Sequence, residues 1–308
     1  MTAGDFAYNA FLTGFALTAL ASICYVTLAL WPRVVYRTAA ILPEGRTGAT
    51  MSMAAPALGG PAWLGPAASA GTWLAVLALT ASLAARWVAA GRPPYANMWE
   101  FTVGFGWGIL LFHALFELRL SPSDRWSPDR TVGAFMLPIA LAMFASALAF
   151  FPSDVRPLIP ALQANRILGA HVATMMLSYA ALSVSFGAAA AYLVQGSGRR
   201  FAKLPSADVL EEIANRSVLV GFPLLTLGVS LGAYWAYSAW GRYWGWDPKE
   251  TSALVVWLIY AGYLHARNLR GWKGAGAAWI LVVGFAAVLF TYFAVNLWVS
   301  GLHSYAGV

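Results

Sequence analysis

Long apolar runs set the pattern of this chain, broken at intervals by short clusters of charge, glycine and proline. A helix that crosses the hydrocarbon core of a bilayer needs about 20 apolar residues. Eight such runs stand out: Tyr8–Trp31, Ala70–Ala90, Phe101–Leu118, Val132–Phe151, Leu168–Val194, Val218–Tyr237, Thr251–Leu269 and Ala277–Val299. Pro32 follows the first run, where it ends a helix. Residues 43–70, rich in Gly, Pro, Ala and Met, read as a flexible cytoplasmic loop. Leu204–Arg216 carries charges with Leu and Ile at helical spacing, which predicts a short interfacial helix. No repeat at solenoid spacing is visible. The predicted fold is therefore all-α: one domain over residues 1–308, a polytopic integral membrane bundle of about eight transmembrane helices.

Composition supports that class. The chain is 60% hydrophobic and only 10% charged, against about 25% charged in a soluble domain. Too few charges are present to coat a water-soluble surface, and mean hydropathy is +0.66. The net charge of +7 takes its meaning from position. Thirteen of the nineteen Lys and Arg fall in one set of alternate loops, around Arg33, Arg125, Arg200 and Arg267. The other set holds Arg86, Arg92, Arg156, Arg166, Arg242 and Lys249. The richer set belongs on the cytoplasmic side, which predicts both termini outside. The charge is thus a topology signal, and nucleic acid is not an expected partner. Cys24 stands alone inside the first run, so the chain has no C-x-x-C pair and no covalent haem-attachment motif. The N-terminus, M-T-A-G-D-F, lacks the basic region of a cleavable signal peptide.

On that topology the stretch 235–250 is an external Trp-rich loop. It places Trp235, Trp240, Trp244 and Trp246 within twelve residues, beside Gly241 and Gly245. His171, at the start of the fifth run, and His303, just past the eighth, lie on the same outer side. Two imidazoles suit haem, since each neutral ring gives a lone pair to iron on one face of the porphyrin. Trp faces cover the apolar macrocycle, and Arg242 and Lys249 are candidates to receive the propionates at the water boundary, with Arg156 and Arg166 weaker ones. His265 lies roughly 22 Å down a helix from Glu250, at about 1.5 Å per residue, and His113 has a comparable inner depth. Ionisable residues at such depth are functional suspects. Each feature has a plainer reading. Interfacial Trp also anchors helices as a belt. Asp247, Pro248 and Glu250 fit the N-cap, N1 and N3 positions of the seventh span, and His113 fits helix packing.

The Trp-rich run resembles the "WWD" signature of haem-handling proteins. Its continuation Asp247-Pro248-Lys249-Glu250-Thr251, then Trp257, then Tyr260 to Arg267 around His265, is similar to the CcsA (ResC) family of system II cytochrome c maturation. His171–Ala180 matches that family around its first external histidine, and Pro94–Phe101 is similar to its segment before a span. The resemblance implies haem b as substrate, with His171 and His303 ligating iron beside the Trp-rich loop. Trp235, Trp240, Trp244, Trp246, Arg242, Lys249 and Asp247 would surround it. His265 would serve a deeper haem site whose second ligand comes from a CcsB (ResB) membrane subunit. No long soluble domain of the CcsB type is visible, so the resemblance implies the separate CcsA half. It further implies covalent haem attachment to an apocytochrome c bearing C-x-x-C-H, as the haem-handling subunit of a cytochrome c synthase with no catalytic residue beyond haem positioning. A thiol-reducing system would keep the client cysteines reduced. The setting would be a bacterial cytoplasmic or thylakoid-type membrane, with the Trp-rich loop outside. Alternatives are a CcmC-like haem handler without synthase activity, a membrane redox subunit using His113 and His265, and a scaffold that binds no chromophore.

Overall fold

The structure is a computed structural model and describes residues 2–31, 61, 63–120, 128–155, 163, 167–197, 200–201 and 204–303. Among these residues there is no strand. The described residues form eight long helices: α1 (Ala3–Leu30), α2 (Leu64–Ala90), α3 (Met98–Leu120), α4 (Gly133–Phe150), α5 (Ile167–Gln195), α6 (Ala207–Trp240), α7 (Pro248–Arg270) and α8 (Ala275–Leu297). All but α7 are long and apolar enough to cross a membrane. α7 is of similar length, but its Tyr, His and Arg residues lower its hydropathy. The chain is an integral membrane helical bundle.

Two helices begin earlier than apolar runs suggest. α2 starts at Leu64, inside the stretch expected as a loop over 43–70; residues 43–60 lie outside the described residues. The separate interfacial helix expected at Leu204–Arg216 is instead the opening of α6. Ser206 caps it, its side chain accepting from the Val209 amide. Leu210, Ile213 and Ala214 are buried there, so packing inside the bundle replaces an interfacial role. Pro223 lies within α6, a placement membrane helices tolerate.

Helices in lipid associate through close packing and polar contacts rather than a hydrophobic drive between them. α3 and α5, at the centre, show both. Gly104 and Gly108 of α3 lie against Met176 and Ala180 of α5, so close that a Cβ at either would clash. On the other flank of α5, Gly221 of α6 seats against Leu182 and Gly228 against Met175. Ser178 donates to the Gly221 carbonyl at 2.8 Å. These small residues hold α5, which carries His171, between α3 and α6.

Two buried polar clusters tie the ends of the bundle. At one end Glu100, fully buried, accepts from Arg86 Nε at 2.9 Å and Arg92 Nη1 at 2.9 Å. Arg86 also donates to the Asp154 carbonyl at 2.6 Å, and Asn97 accepts from the Glu100 amide. At the other end Glu117 accepts from Tyr25 and Ser69, with Arg130 Nε and His113 Nε2 each 3.6 Å away. His113 also packs edge-on to Tyr25, with ring centroids 5.3 Å apart. That contact fits the helix-packing reading of His113.

Candidate functional site

A cleft opens at the end of the bundle that carries Glu100. Its walls come from α3, α5, α6, α7 and α8, and it encloses about 1110 Å³ of space, open mouth included. Phe105, Met175, Met176, Tyr179, Val229 and Tyr292 line the deeper part, while His171, His303, Trp235, Trp244, Lys249 and Glu250 line the upper part.

The Trp-rich stretch is mostly helical. α6 runs through Trp240, and Gly241, at φ 73°, takes the left-handed conformation that ends it. α7 begins at Pro248, so only residues 241–247 form a loop. Asp247 caps α7, accepting from the Lys249 amide, and Glu250 reaches back to the Asp247 amide to complete a capping box. This is the capping role read from the sequence. Glu250 also accepts from the Gly245 amide at 2.7 Å, which closes the loop over the cleft.

His171 stands near the start of α5. Its Nδ1 lies 2.7 Å from the Gly228 carbonyl. A carbonyl only accepts, so Nδ1 carries the proton and Nε2 the lone pair. Gly232 leaves room for the ring: a Cβ there would fall 2.6 Å from it. His303 follows the end of α8, in a turn held by Asp247. Its Nδ1 lies 2.7 Å from Asp247 Oδ2, and the Leu302 amide donates to Asp247 Oδ1. The carboxylate fixes the same tautomer. Burial pushes the His303 imidazole down to about 4, with Lys249 and His171 acting in the same sense against the Asp247 bond, so the ring is neutral at pH 7. Burial opposes ionisation of Asp247, but bonds from His303, Leu302 and Lys249 outweigh it and hold the carboxyl below its ordinary value. Both imidazoles are thus presented as neutral donors through Nε2.

Trp235 joins them. Its ring is parallel to His171 at 6.5 Å and tilted to His303 at 5.9 Å. It is only 1% exposed, and its Nε1 donor has no hydrogen-bond partner. The residue lines the cleft, and a buried N–H left without a partner costs about 1–3 kcal/mol. Lys249 donates to Asn296 Oδ1 from the cleft wall. These features fit haem: an apolar cleft, two neutral imidazoles, a cation and an unpaired donor. Porphyrin iron already has four nitrogen ligands and needs only axial donors.

The remaining expected residues are placed as follows. Trp240 contacts His303 edge-on at 4.9 Å, and Trp244 lines the cleft. Trp246 and Arg242 are exposed and do not line it. Trp246 also has a positive φ, 57°, a strained setting for a bulky side chain. His265 is exposed on α7, in line with Val255, Leu258 and Leu269, which are exposed as well. It shares no site with the buried His113. Arg156 and Arg166 lie outside the described residues. Sequence reading missed the Gly228 carbonyl, which leaves no signal, and Asn296. Asn296 did leave one, as an amide inside an apolar span.

A sequence profile described as "Cytochrome C assembly protein" matches residues 95–303. The cytochrome c biogenesis protein CcsA of Synechococcus elongatus is 37% identical over 77% of this chain and 86% of its own length. That of a Synechocystis species is 36% identical over 79% of this chain and 89% of its own. Among solved structures, the cytochrome c haem lyase CcmF superposes with a TM-score of 0.66 at 21% identity, over 95% of this chain and 47% of that one. This chain spans about half of that structure, and at such identity the likeness is one of fold. The cleft, the profile over two-thirds of the sequence and the relatives agree: the chain belongs to the cytochrome c assembly protein family and is a CcsA-type member of it.

Proposed function

We propose that this chain holds haem b in the outer cleft, with His171 and His303 as its axial ligands, and presents it for covalent attachment to an apocytochrome c. The observation that carries this reading is the convergence of the two histidines. They are 132 positions apart in the sequence, yet both line one cleft beside Trp235, and both have Nδ1 hydrogen-bonded so that Nε2 is the basic nitrogen.

The chain's own residues supply position rather than bond-making groups. Lys249 and the Trp235 N–H serve the propionates, while Trp240 and Trp244 cover the macrocycle edge. Attachment then adds each client thiol across a vinyl group: sulfur bonds to one carbon, its hydrogen goes to the other, and no net oxidation occurs. Holding haem and peptide together is the main contribution. A separate thiol-reducing system keeps the C-x-x-C-H cysteines reduced.

In this reading the cleft faces the outside of a bacterial cytoplasmic or thylakoid-type membrane, as the Lys and Arg distribution indicates. Counting α7 as a crossing beside the seven helices apolar enough to span, this reading has both described ends on that side. Haem arrives by a deeper site at His265, whose exposed position on α7 suits a second ligand from a CcsB (ResB)-type subunit.

The test is the absorption spectrum of the protein purified with that subunit. His171→Ala together with His303→Ala should abolish the low-spin signal of the outer haem. A full signal in the double variant would sink the assignment. For the deeper site, His265→Gly should lose haem and regain it with added imidazole.

A further inference from the structure

The two imidazoles of the cleft are held in unequal ways. His171 is part of a long helix. Its ring is wedged against the backbone of α6 at Gly232 and bonded to the Gly228 carbonyl. Moving it means parting α5 from α6, which Ser178 and Met175 hold together at Gly221 and Gly228. His303 lies beyond the last helical residue, Leu297, in a turn. Both oxygens of Asp247 engage that turn, one at the Leu302 amide and one at His303 Nδ1. Gly301 sits against the same carboxylate, where a Cβ would fall 2.5 Å from Oδ1. Asp247 is itself fixed, as the N-cap of α7. The turn can therefore swing away while the helices stay packed.

The chemistry requires one ligand to go. A client with C-x-x-C-H brings its own histidine, and iron has two axial positions. Resting on the function proposed above, we infer that His303 is the ligand exchanged for the client's histidine, that His171 is the fixed anchor, and that Asp247 is the positioning residue that sets how readily His303 leaves. The exchange breaks the bond between iron and His303 Nε2, forms one to the client imidazole, and moves no electron.

The test uses the haem-loaded complex with its membrane subunit and a peptide with serines in place of both cysteines. That peptide ligates haem but forms no thioether. Ligand exchange is followed by stopped-flow absorption. Asp247→Asn keeps a capping side chain but removes the carboxylate. It should speed exchange roughly tenfold or more, the scale on which such outer hydrogen bonds act, while the starting spectrum stays low-spin. His303→Ala should bind the peptide without an exchange phase. Unchanged exchange in Asp247→Asn, or acceleration in His171→Ala in place of it, would overturn the assignment. Should the variants fail to assemble, hydrogen exchange on the unaltered complex decides. Peptide should deprotect the Leu302 amide and leave α5 near His171 protected, and the opposite pattern refutes the proposal. Failure of the function itself would show separately, as no haem in the unaltered protein.

Discussion

Gly232 of α6 faces the ring of His171 so closely that a Cβ would stand 2.6 Å from its Cε1 atom. The imidazole position therefore depends on a missing methyl group. Gly232→Ala should displace the ring and weaken or abolish the low-spin haem spectrum while the protein still assembles. Gly276→Ala, where a Cβ meets nothing within 4 Å, should leave the spectrum unchanged. Equal spectra in the two variants would show that the ring tolerates displacement.

The unpaired Trp235 N–H gives a second expectation. Trp235→Phe keeps an aromatic ring and removes the donor. A hydrogen bond to a charged group contributes about 1.5–3 kcal/mol, so haem retention should fall on the order of tenfold with the low-spin band in place. Retention is measured as haem lost to an excess of apomyoglobin. No change would mean that the donor meets water rather than haem.

Lys249 and Asn296, which line the same cleft and are bonded to each other, form a comparable test. Lys249→Met preserves length and removes the charge. It should lower retention by about the same factor, and Lys249→Arg should recover part of it. If Met and Arg behave alike, the charge is not the feature that matters.

Glu100 bears on stability rather than on haem. It is fully buried between Arg86 and Arg92. Glu100→Gln removes the carboxylate that the two buried cations share, which costs about 3–5 kcal/mol. Thermal unfolding in detergent should shift clearly downward, whereas Glu212→Gln, in an exposed pair with Arg216, should shift it little.

Orientation is open to direct measurement. In a Cys24→Ser background, cysteine at Tyr243 or Trp246 should react with a membrane-impermeant thiol reagent applied from outside. Cysteine at Lys273 should react only after permeabilisation. The reverse pattern would invert the proposed topology.

The apolar runs made the helices legible, because membrane spans advertise themselves by length. The start of α7 was legible too, since Asp247, Pro248 and Glu250 act within one turn of each other. The meeting of His171 and His303 followed from counting crossings. The second task of Asp247 was hidden, because its partner His303 is 56 positions away and the local capping pattern already explained the residue. Trp246 and Arg242 were grouped with the other loop residues by proximity. In the structure, the left-handed turn at Trp246 sends its side chain outward, and no periodicity reports such a turn. Likewise, charges in the first turns of α6 imitated a surface helix, although Leu210 and Ile213 are buried.

The Arg86–Glu100 pair also bears on how the chain enters a bilayer. The two residues are fourteen positions apart, on either side of the tight connection between α2 and α3. Each helix inserted singly would carry an unneutralised charge into the lipid. Inserted together as a hairpin, they cancel most of that charge before either reaches its final depth.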